Sequence, residues 1–336
     1  MLLAIHNGGS WNKEWRNYCI NKKIEFLKVN CYDNNIIGQL KEKKVTHLMW
    51  HFSHNSPKDI LMARNVLYSA AIMDIKTYPD FNTCWHFDDK VSQKYLLESI
   101  NAPIACSYAF FDFTTAKNFL NEKASFPIVA KLRRGAGSYN VRLIKNYIAA
   151  LKYIKRMFNY GIHPSPGYLA DVNTKLKVAG SLKGILKRVR KAPNFFKVVH
   201  AGKKAFPKEL GYAYFQEFIP NNVFDYRVKV VGDRCWAFKR RVRDNDFRAS
   251  GSGMLDFSIK DIPIEMIRIA FDVSQKLKLQ SVAFDFVLNE SKPVILEISY
   301  GFGIDKGEAE GYWNPKLERI DQSFDPPSYI LETFLK

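Results

Sequence analysis

The sequence predicts a mixed α/β protein, with a small parallel sheet and its helices followed by two α+β regions. Two patterns support this fold class. Short β-type runs alternate with helical patterns up to about residue 82, and strand-like runs separated by turns follow further along. Because 336 residues are enough for roughly two or three domains, we expect three regions, at residues 1–84, 85–210 and 211–336.

The composition is that of an ordinary globular protein, with 47% hydrophobic and 25% charged residues. No apolar run approaches the roughly 18 residues of a membrane span, and the early polar residues predict that the N-terminus is not a signal peptide. The five cysteines are scattered, which predicts reduced thiols in a cytoplasmic protein, either free or at the inner face of the membrane. The net charge of +18 favours an anionic partner.

In the first region, strands are predicted at residues 2–6, 24–29 and 45–50, and helices at 11–20, 36–41 and 60–73. Ligands of such sheets bind beyond the carboxyl ends of the strands. The segments at those ends, residues 6–10 and 51–55, are therefore either part of an acceptor site or loops without a ligand. The spacing of His47, His51 and His54 also allows a metal site, although no cysteine or acid accompanies them.

The next stretch combines a helix at 91–100 with a strand, a glycine-rich turn and a second strand at 126–144. Lys131 ends the first of these strands, and the turn contains Gly135, Gly137 and Ser138. Free backbone N–H groups in such a turn can hold phosphate oxygens. The spacing matches neither a P-loop nor a dinucleotide-binding fingerprint, and an ordinary turn is the alternative.

Residues 151–210 form a basic insertion, with 14 lysines and arginines against two acids, a net charge of +12. Apolar residues between 176 and 189 give a partial helical stripe with basic residues around it. The segment either holds an anionic glycan, lies on an anionic membrane surface, or is a solvated insertion. A nucleic acid is not expected, because no recognised binding motif accompanies the charge. Nothing in the sequence indicates the oligomeric state.

The last region begins with strands at 214–220, 225–231 and 235–241, and a helix at 263–279 follows. The strand end at Arg241 is cationic, and the Gly/Ser-rich loop after it contains Arg248 and Ser250. Cations beside a flexible loop either bind a phosphate or a developing oxyanion, or form a solvated rim.

Two apolar runs, residues 282–288 and 294–298, flank a turn and predict a β-hairpin. Each run contains one carboxylate, Asp285 or Glu297, and the midpoint between them is Ser291 in the turn. In a symmetric hairpin the two acids are cross-strand partners on one face, roughly 5 Å apart. Carboxylates this close repel each other unless a cation lies between them, and oxygen ligands favour Mg²⁺. Solvation on a wet face is the alternative.

The order of these parts resembles that of the ATP-grasp superfamily. The series begins with a lysine before a helix, followed by a strand that ends in a lysine and a glycine-rich loop. The later motifs, in chain order, are Gln-Glu-Phe-Ile, Asp-x-Arg, Phe-Arg-x-Ser, Phe-Asp-Phe and Leu-Glu-Ile-Ser. The resemblance covers residues 85–303, interrupted by the basic insertion. The pattern is similar to the glutamate ligase branch that extends a ribosomal protein and, more loosely, to D-alanine–D-alanine ligase and biotin carboxylase.

The resemblance implies ATP and Mg²⁺ as cofactors and gives each motif residue a role. The phosphate contacts would be Lys90, Lys131, Gly135, Gly137 and Ser138. The adenine hinge and the ribose contact would be Gln216, Glu217, Phe218, Ile219 and Asp225. The phosphate and substrate side would be lined by Arg248 and Ser250, and the acyl phosphate would be stabilised by Arg241. The Mg²⁺ ligands would be Asp285, Glu297 and Ser299, although family members usually have asparagine at the last position.

The implied activity is ATP-dependent ligation of a carboxylate to an amine through an acyl phosphate. The segments YFQEFIPNNVFDYRV, FRASGSG and ILEISYGFG are similar to ATP-grasp proteins of bacterial surface-polysaccharide synthesis. They imply an amide between an amino acid and a uronic acid. One alternative is a ligase of peptides or small metabolites. The other is a nucleotide-binding scaffold without turnover that docks through the basic insertion.

Overall fold

The computed structural model of the protein describes residues 1–135, 138, 140–164, 207–243 and 246–336. Gly137 and the predicted helical stripe at 176–189 lie outside these residues. The described chain forms three β-sheets with helices packed against them. The sequence-based prediction of a mixed α/β fold with one parallel sheet is confirmed.

The first sheet is parallel and has the order β2-β1-β3-β4. Its strands are β1 (Leu3–His6), β2 (Phe26–Val29), β3 (His47–Met49) and β4 (Lys76–Tyr78), and its helices are α1 (Trp11–Lys22), α2 (Ile36–Glu42), α3 (Pro57–Ile72) and the short α4 (Phe81–Cys84). Helix α3 begins three residues earlier than predicted, because the Ser56 side chain accepts from the Asp59 amide and Pro57 fits the first helical position. Strand β4 was not predicted.

The second sheet is antiparallel and has the order β5-β8-β6-β7. It comprises β5 (Ser107–Phe110), β6 (Ile128–Lys131), β7 (Val141–Ile144) and β8 (Ala213–Glu217), with helices α5 (Lys90–Ser99), α6 (Phe113–Glu122) and α7 (Tyr147–Asn159). Ile128 and Ala130 pack against α6 and α7, so Val129 and Lys131 face the other way. Because β8 belongs to this sheet, the predicted boundary at residue 210 falls inside the part of the chain that builds it.

The third and largest sheet has the order β13-β12-β9-β10-β14-β15, with β11 paired to β10. It comprises β9 (Phe224–Val231), β10 (Arg234–Arg241), β11 (Leu255–Asp256), β12 (Ser281–Asn289), β13 (Lys292–Ser299), β14 (Tyr312–Trp313) and β15 (Arg319–Ile320). Helix α8 (Ile264–Lys276) covers one face. The C-terminal helix α9 (Pro326–Leu335) returns to α1, where Trp15 Nε1 donates to the Pro327 carbonyl at 2.8 Å.

The β12–β13 hairpin confirms the predicted pairing of Asp285 with Glu297, but through a different geometry. The turn contains only Glu290 and Ser291, both with positive φ (46° and 70°). Continued without interruption, this register would pair Asp285 with Leu296 and turn Glu297 to the opposite face. A bulge next to Asp285 adds Leu296 to β13 and restores both carboxylates to one face.

The other face of the large sheet packs against the N-terminal sheet through an apolar cluster that includes Trp11, Trp15, Trp236 and Phe302. All five cysteines are free thiols, and only Cys106 is exposed. Within the part of the chain that the structure describes, none of the helices combines the length and the apolar character that a membrane crossing requires.

Candidate active site

A cavity of about 550 Å³ lies between the small antiparallel sheet and the large sheet. It is lined by all but three of the residues that the sequence pattern singles out: Lys90, Lys131, Gly135, Ser138, Gln216, Glu217, Phe218, Ile219, Asp225, Arg248, Ser250, Asp285 and Glu297. The exceptions are Arg241 and Ser299, which lie outside its lining, and Gly137, which lies outside the described residues.

Several apolar residues line one part of the cavity. Val129 and Val141 come from the small sheet, Leu296 comes from the bulge, and Phe218 and Ile219 close the end after β8. The side chain of Gln216 is fully engaged, because it accepts from Lys131 Nζ at 2.6 Å and donates to Ser107 Oγ at 3.0 Å. The side chain of Gln216 therefore braces Lys131.

The opposite end is charged, and Asp285 lies at its centre. Its Oδ1 accepts from Arg227 Nη1 at 2.7 Å and from Arg240 Nη2 at 2.8 Å. Burial acts to raise the pKa of Asp285, but the two guanidinium groups outweigh it and lower the pKa below its ordinary value. Asp285 is therefore an ionised carboxylate inside the protein.

Arg240 also makes a two-pronged contact with Asp225, at 2.7 Å from Nε to Oδ1 and from Nη2 to Oδ2. Both oxygens of Asp225 are engaged, and burial raises its pKa even beside this arginine. Asp225 lines the cavity, but its side chain holds Arg240 rather than pointing a free oxygen at a ligand.

Two buried lysines face these acids. Lys90 Nζ lies 3.1 Å from Glu297 Oε1 and donates to the Gly135 carbonyl at 2.9 Å. Burial acts to lower the pKa of Lys90, but attraction to Glu297 and Asp88 outweighs it and raises the pKa. For Lys131, burial outweighs the attraction to Glu297 and lowers its pKa to about 8.

The glycine turn is anchored from both sides. The Gly135 amide donates to Asp88 Oδ1 at 2.8 Å. The φ of Gly135 is 114°, and the Asn140 side chain occupies the space that a Cβ would need, so a larger residue would be strained and would displace Asn140. Arg248 Nη1 donates to the Ser138 carbonyl at 3.0 Å and pairs with Asp246. The loop at 246–250 thus folds against the turn.

The structure gives Arg241 no position at the cavity. Successive side chains of a strand point to opposite faces, so β10 turns Arg240 toward Asp285 and leaves Arg241 exposed. The role of Arg241 at an acyl phosphate stays a prediction, and Arg240 is the member of this pair that contacts Asp285. Ser299 shares the face of Glu297 two residues further along, and its Oγ donates to the Gly301 carbonyl at 3.4 Å.

Asp285 and Glu297 fit a Mg²⁺ ion by their chemistry. Both are hard oxygen donors at paired positions of neighbouring strands. Among the described residues, the cations contact Asp285 Oδ1 and Glu297 Oε1, whereas the second oxygen of each carboxylate has no hydrogen-bond partner. Those second oxygens are the atoms that could hold the metal.

The three histidines considered for a separate metal site do not converge. His47 begins β3 and its ring contacts Phe334 at 5.5 Å, whereas His51 follows the other end of that strand and stacks on Trp11 at 4.3 Å. Burial lowers the pKa of His51 to about 3. No cluster of three or more metal-binding side chains occurs among the described residues, so this hypothesis is wrong for them.

His54 is the part of the predicted acceptor loop, residues 51–55, that approaches the charged end. Burial lowers its pKa, and the charges of Asp88, Lys90 and Glu297 act on it. The other candidate loop, residues 6–10, begins with a buried His6 whose Nδ1 accepts from the Cys31 amide at 3.2 Å. Only the first of these loops contributes a titratable group beside the cavity.

Sequence reasoning gave no individual site role to Arg227, Lys229 and Arg240, although Arg227 belongs to the Asp-x-Arg motif; all three are buried or half-buried. A signal for the first two was present, since charged residues alternate with apolar ones along β9 at Asp225, Arg227 and Lys229. Charged residues at every second position of an otherwise apolar strand lie on one face of the sheet. If that face is buried, these side chains need hydrogen-bond or ion-pair partners inside the protein.

Several solved structures are similar in fold to this chain. D-alanine–D-alanine ligase from Bacillus anthracis aligns with a TM-score of 0.57 at 11% identity, covering 99% of this chain and 95% of that one. A RimK domain ATP-grasp protein from Sphaerobacter thermophilus aligns with a TM-score of 0.54 at 11% identity, covering 90% and 92%. The biotin carboxylase domain of the 2-oxoglutarate carboxylase from Hydrogenobacter thermophilus, in complex with MgADP, aligns with a TM-score of 0.54 at 10% identity, covering 90% and 64%.

At the level of sequence, no protein-family model and no curated protein matches the chain. The structural matches have low identity and extend over nearly the whole chain, so what they share with it is the fold. The chain has the ATP-grasp fold.

Proposed function

We propose that this protein is an ATP- and Mg²⁺-dependent ligase that joins a carboxylate to an amine. The observation that carries the proposal is a single cavity with an apolar slot at one end and Lys90, Lys131, Asp285 and Glu297 at the other. Proteins of the same fold have been solved with ATP and with MgADP. The slot suits an adenine ring, with its edge read by the backbone of residues 217–219, and the lysines suit the phosphates.

Each charged group then has a defined task. Lys131 and Lys90 attract the phosphates, and the glycine turn with Arg248 covers them from water. Mg²⁺ held by Asp285 and Glu297 would neutralise part of the phosphate charge. Arg227 and Arg240 keep Asp285 ionised and fix its orientation.

The reaction proceeds in two displacements. A carboxylate oxygen of the substrate attacks the γ-phosphorus, the bond to the β-phosphate oxygen breaks, and ADP leaves with that bonding pair. The amine nitrogen then attacks the acyl carbon, phosphate leaves with the C–O bonding pair, and the amine loses one proton. Lys131 faces the developing phosphate charge, and the chain needs no nucleophile of its own.

The acceptor is proposed to lie beside the charged end, where the loop at 51–55 approaches. For the substrates, we propose an amino acid and a uronic acid of surface-polysaccharide synthesis. The support is the sequence similarity of the 214–228, 247–253 and 295–303 segments and the net charge of +18, which favours an anionic carrier.

Phosphate release from ATP and Mg²⁺ across a matrix of amino acids and uronic-acid nucleotides tests the proposal. We expect release that requires one acid together with one amine and that is lost in Asp285→Asn, which keeps the size of the side chain but removes its charge. Tight ATP binding without release for any pair, including lipid-linked acceptors in membrane extract, would favour the scaffold instead.

The affinity for ATP is expected to fall as the pH rises through about 8, because Lys131 has a pKa of about 8 and loses its charge above it. Because bound phosphate stabilises the charged form of Lys131, the pH dependence of ATP affinity reports the pKa of this lysine in the ATP-free protein. Titration of ATP binding from neutral to alkaline pH measures it. Lys131→Arg stays charged over this range and should show a flat profile. The same decline in that variant would assign the titration to another group.

A further inference from the structure

A second concave surface lies on the opposite face of the small antiparallel sheet. This basic groove is lined by Arg142, Lys152, Lys155, Arg156, Tyr160, Gly161, Ile162, His163 and Lys208. Arg142 is adjacent in sequence to Val141, which lines the active-site cavity, and neighbouring residues of a strand face opposite ways. The groove and the cavity are therefore separated by the thickness of the sheet.

The groove concentrates positive charge without internal compensation. Among the described residues, its lining contains three lysines and two arginines, no acid, and no ion pair to any of these cations. The neighbouring acid, Glu209, is buried and directed away from it, toward Arg133, Arg134 and Tyr212. Like charges held this close repel one another, and a bound anion would relieve that repulsion.

The groove is built on rigid elements. Lys152, Lys155 and Arg156 project from helix α7, whose other face packs in the core through Ile154 and Met157. Its far wall is fixed where Ile162 and Glu209 exchange two backbone hydrogen bonds of 2.9 Å. Beside this wall, His163 Nδ1 is buried and has no hydrogen-bond partner among the described residues.

We propose that this groove is a second anion site that binds the diphosphate group of a ligand distinct from the ATP in the cavity. Two guanidinium groups can each hold a phosphate with paired hydrogen bonds, and the lysines add point charges. The volume of about 830 Å³ is that of a small-ligand site rather than a track for a long polymer. Tyr160, 73% exposed, offers an aromatic surface for the group attached to the diphosphate.

A diphosphate can come from a soluble sugar nucleotide or from a polyprenyl lipid, and the experiment separates these sources. Calorimetry with inorganic pyrophosphate tests the soluble form on the full chain. Sedimentation with phosphatidylcholine vesicles carrying a polyprenyl diphosphate tests the lipid form, with phosphatidylglycerol vesicles as an ordinary anionic surface. Neither measurement needs ATP turnover, so its outcome is independent of the proposed ligase activity.

The variants distinguish binding in the groove from a general effect of net charge and from binding in the cavity. Lys155→Glu with Arg156→Glu reverses two groove cations, and Lys41→Glu with Lys43→Glu makes the same change of net charge on the exposed surface of the N-terminal region. Lys131→Met removes a cavity cation. All of the reversed positions are exposed, so unchanged thermal unfolding is expected and is checked for each variant. Lys152→Gln with Lys208→Gln is a milder second test of the groove.

We expect pyrophosphate or the diphosphate vesicles to bind the wild type and the distant pair alike, and the groove pair at least about tenfold more weakly than these and than Lys131→Met, a difference of about 1.4 kcal/mol. Binding only to the vesicles would assign the lipid source, and binding to pyrophosphate as well would assign the soluble one. The proposal is overturned if neither probe binds, if both charge-reversed pairs lose affinity equally, or if phosphatidylglycerol vesicles bind as tightly as the diphosphate vesicles.

Discussion

Arg240→Met is expected to lower the free energy of unfolding by about 3–5 kcal/mol, because it leaves buried carboxylates without their cation. In the wild type, Arg240 contacts both Asp225 oxygens at 2.7 Å and Asp285 at 2.8 Å, and its side chain is 7% exposed. Arg227 still contacts Asp285 in the variant, whereas Asp225 loses the arginine to which it is directly paired. Urea unfolding at pH 7 measures the loss.

The pH dependence of this loss has a definite sign. Burial already raises the pKa of Asp225 in the wild type, and removing Arg240 raises it further. A carboxylate whose pKa is higher in the folded than in the unfolded state stabilises the fold at low pH and loses that contribution as pH rises. The deficit of Arg240→Met should therefore shrink when unfolding is measured at pH values below neutrality.

Ligase turnover should fall at least about 100-fold in Arg240→Met, since Asp285 loses a charge partner that orients it. Arg241→Met is the matched control, because it is the next residue of the same strand and is exposed. We expect its stability to lie within about 0.5 kcal/mol of the wild type and its turnover to be little changed. Equal effects of the two substitutions would contradict the assignment of Arg240 to the site.

Glu308→Gln is the second substitution with a large expected effect, again about 3–5 kcal/mol of stability, because it removes the counter-charge of a fully buried lysine. The Lys229 and Glu308 side chains are 2% and 0% exposed. Lys229 Nζ donates to Glu308 Oε1 and to the Gly303 carbonyl, and Glu308 also accepts from Trp236 Nε1 at 3.0 Å. Thermal and urea unfolding measure the loss.

The pH dependence here has the opposite sign. Burial lowers the pKa of Lys229 to about 8 even with Glu308 present, and loss of that carboxylate lowers it further. The unfolded chain then binds more protons than the folded one, so stability rises with pH. The deficit of Glu308→Gln should be smaller at pH 9 than at pH 7.

A double substitution identifies the cause of this loss. Lys229→Met with Glu308→Leu replaces both charges by apolar groups of similar size, which often recovers the stability of a buried ion pair. We expect the double variant to be more stable than Glu308→Gln alone. If it is as unstable as the single variant, the hydrogen bonds of Glu308 to Trp236 and to the Asp305 amide, rather than the uncompensated lysine, account for the effect.

The β12–β13 hairpin shows what a local sequence pattern can predict and what it cannot. Two apolar runs and a turn were sufficient to predict the hairpin and the pairing of Asp285 with Glu297. The prediction assumed a turn centred on Ser291, whereas the chain uses a two-residue turn and a bulge at Leu296. The bulge depends on contacts of that segment with the small sheet, such as the 3.4 Å bond from Gln216 Nε2 to the Leu296 carbonyl, and these lie far away in the sequence.

The sequence by itself predicted many of the strands, helices and turns in their order, and its resemblance to a known family selected most of the described residues that line the cavity. Those signals are local, since side-chain periodicity, capping residues and turn residues act over a few positions. Only the tertiary structure decided that Arg240 rather than Arg241 meets Asp285, that β8 joins the small sheet, and that Lys229 pairs with Glu308. Each of these features depends on which strands lie side by side and in what register. Burial and ion pairing between residues far apart in the sequence produce no local sequence pattern from which they could be predicted.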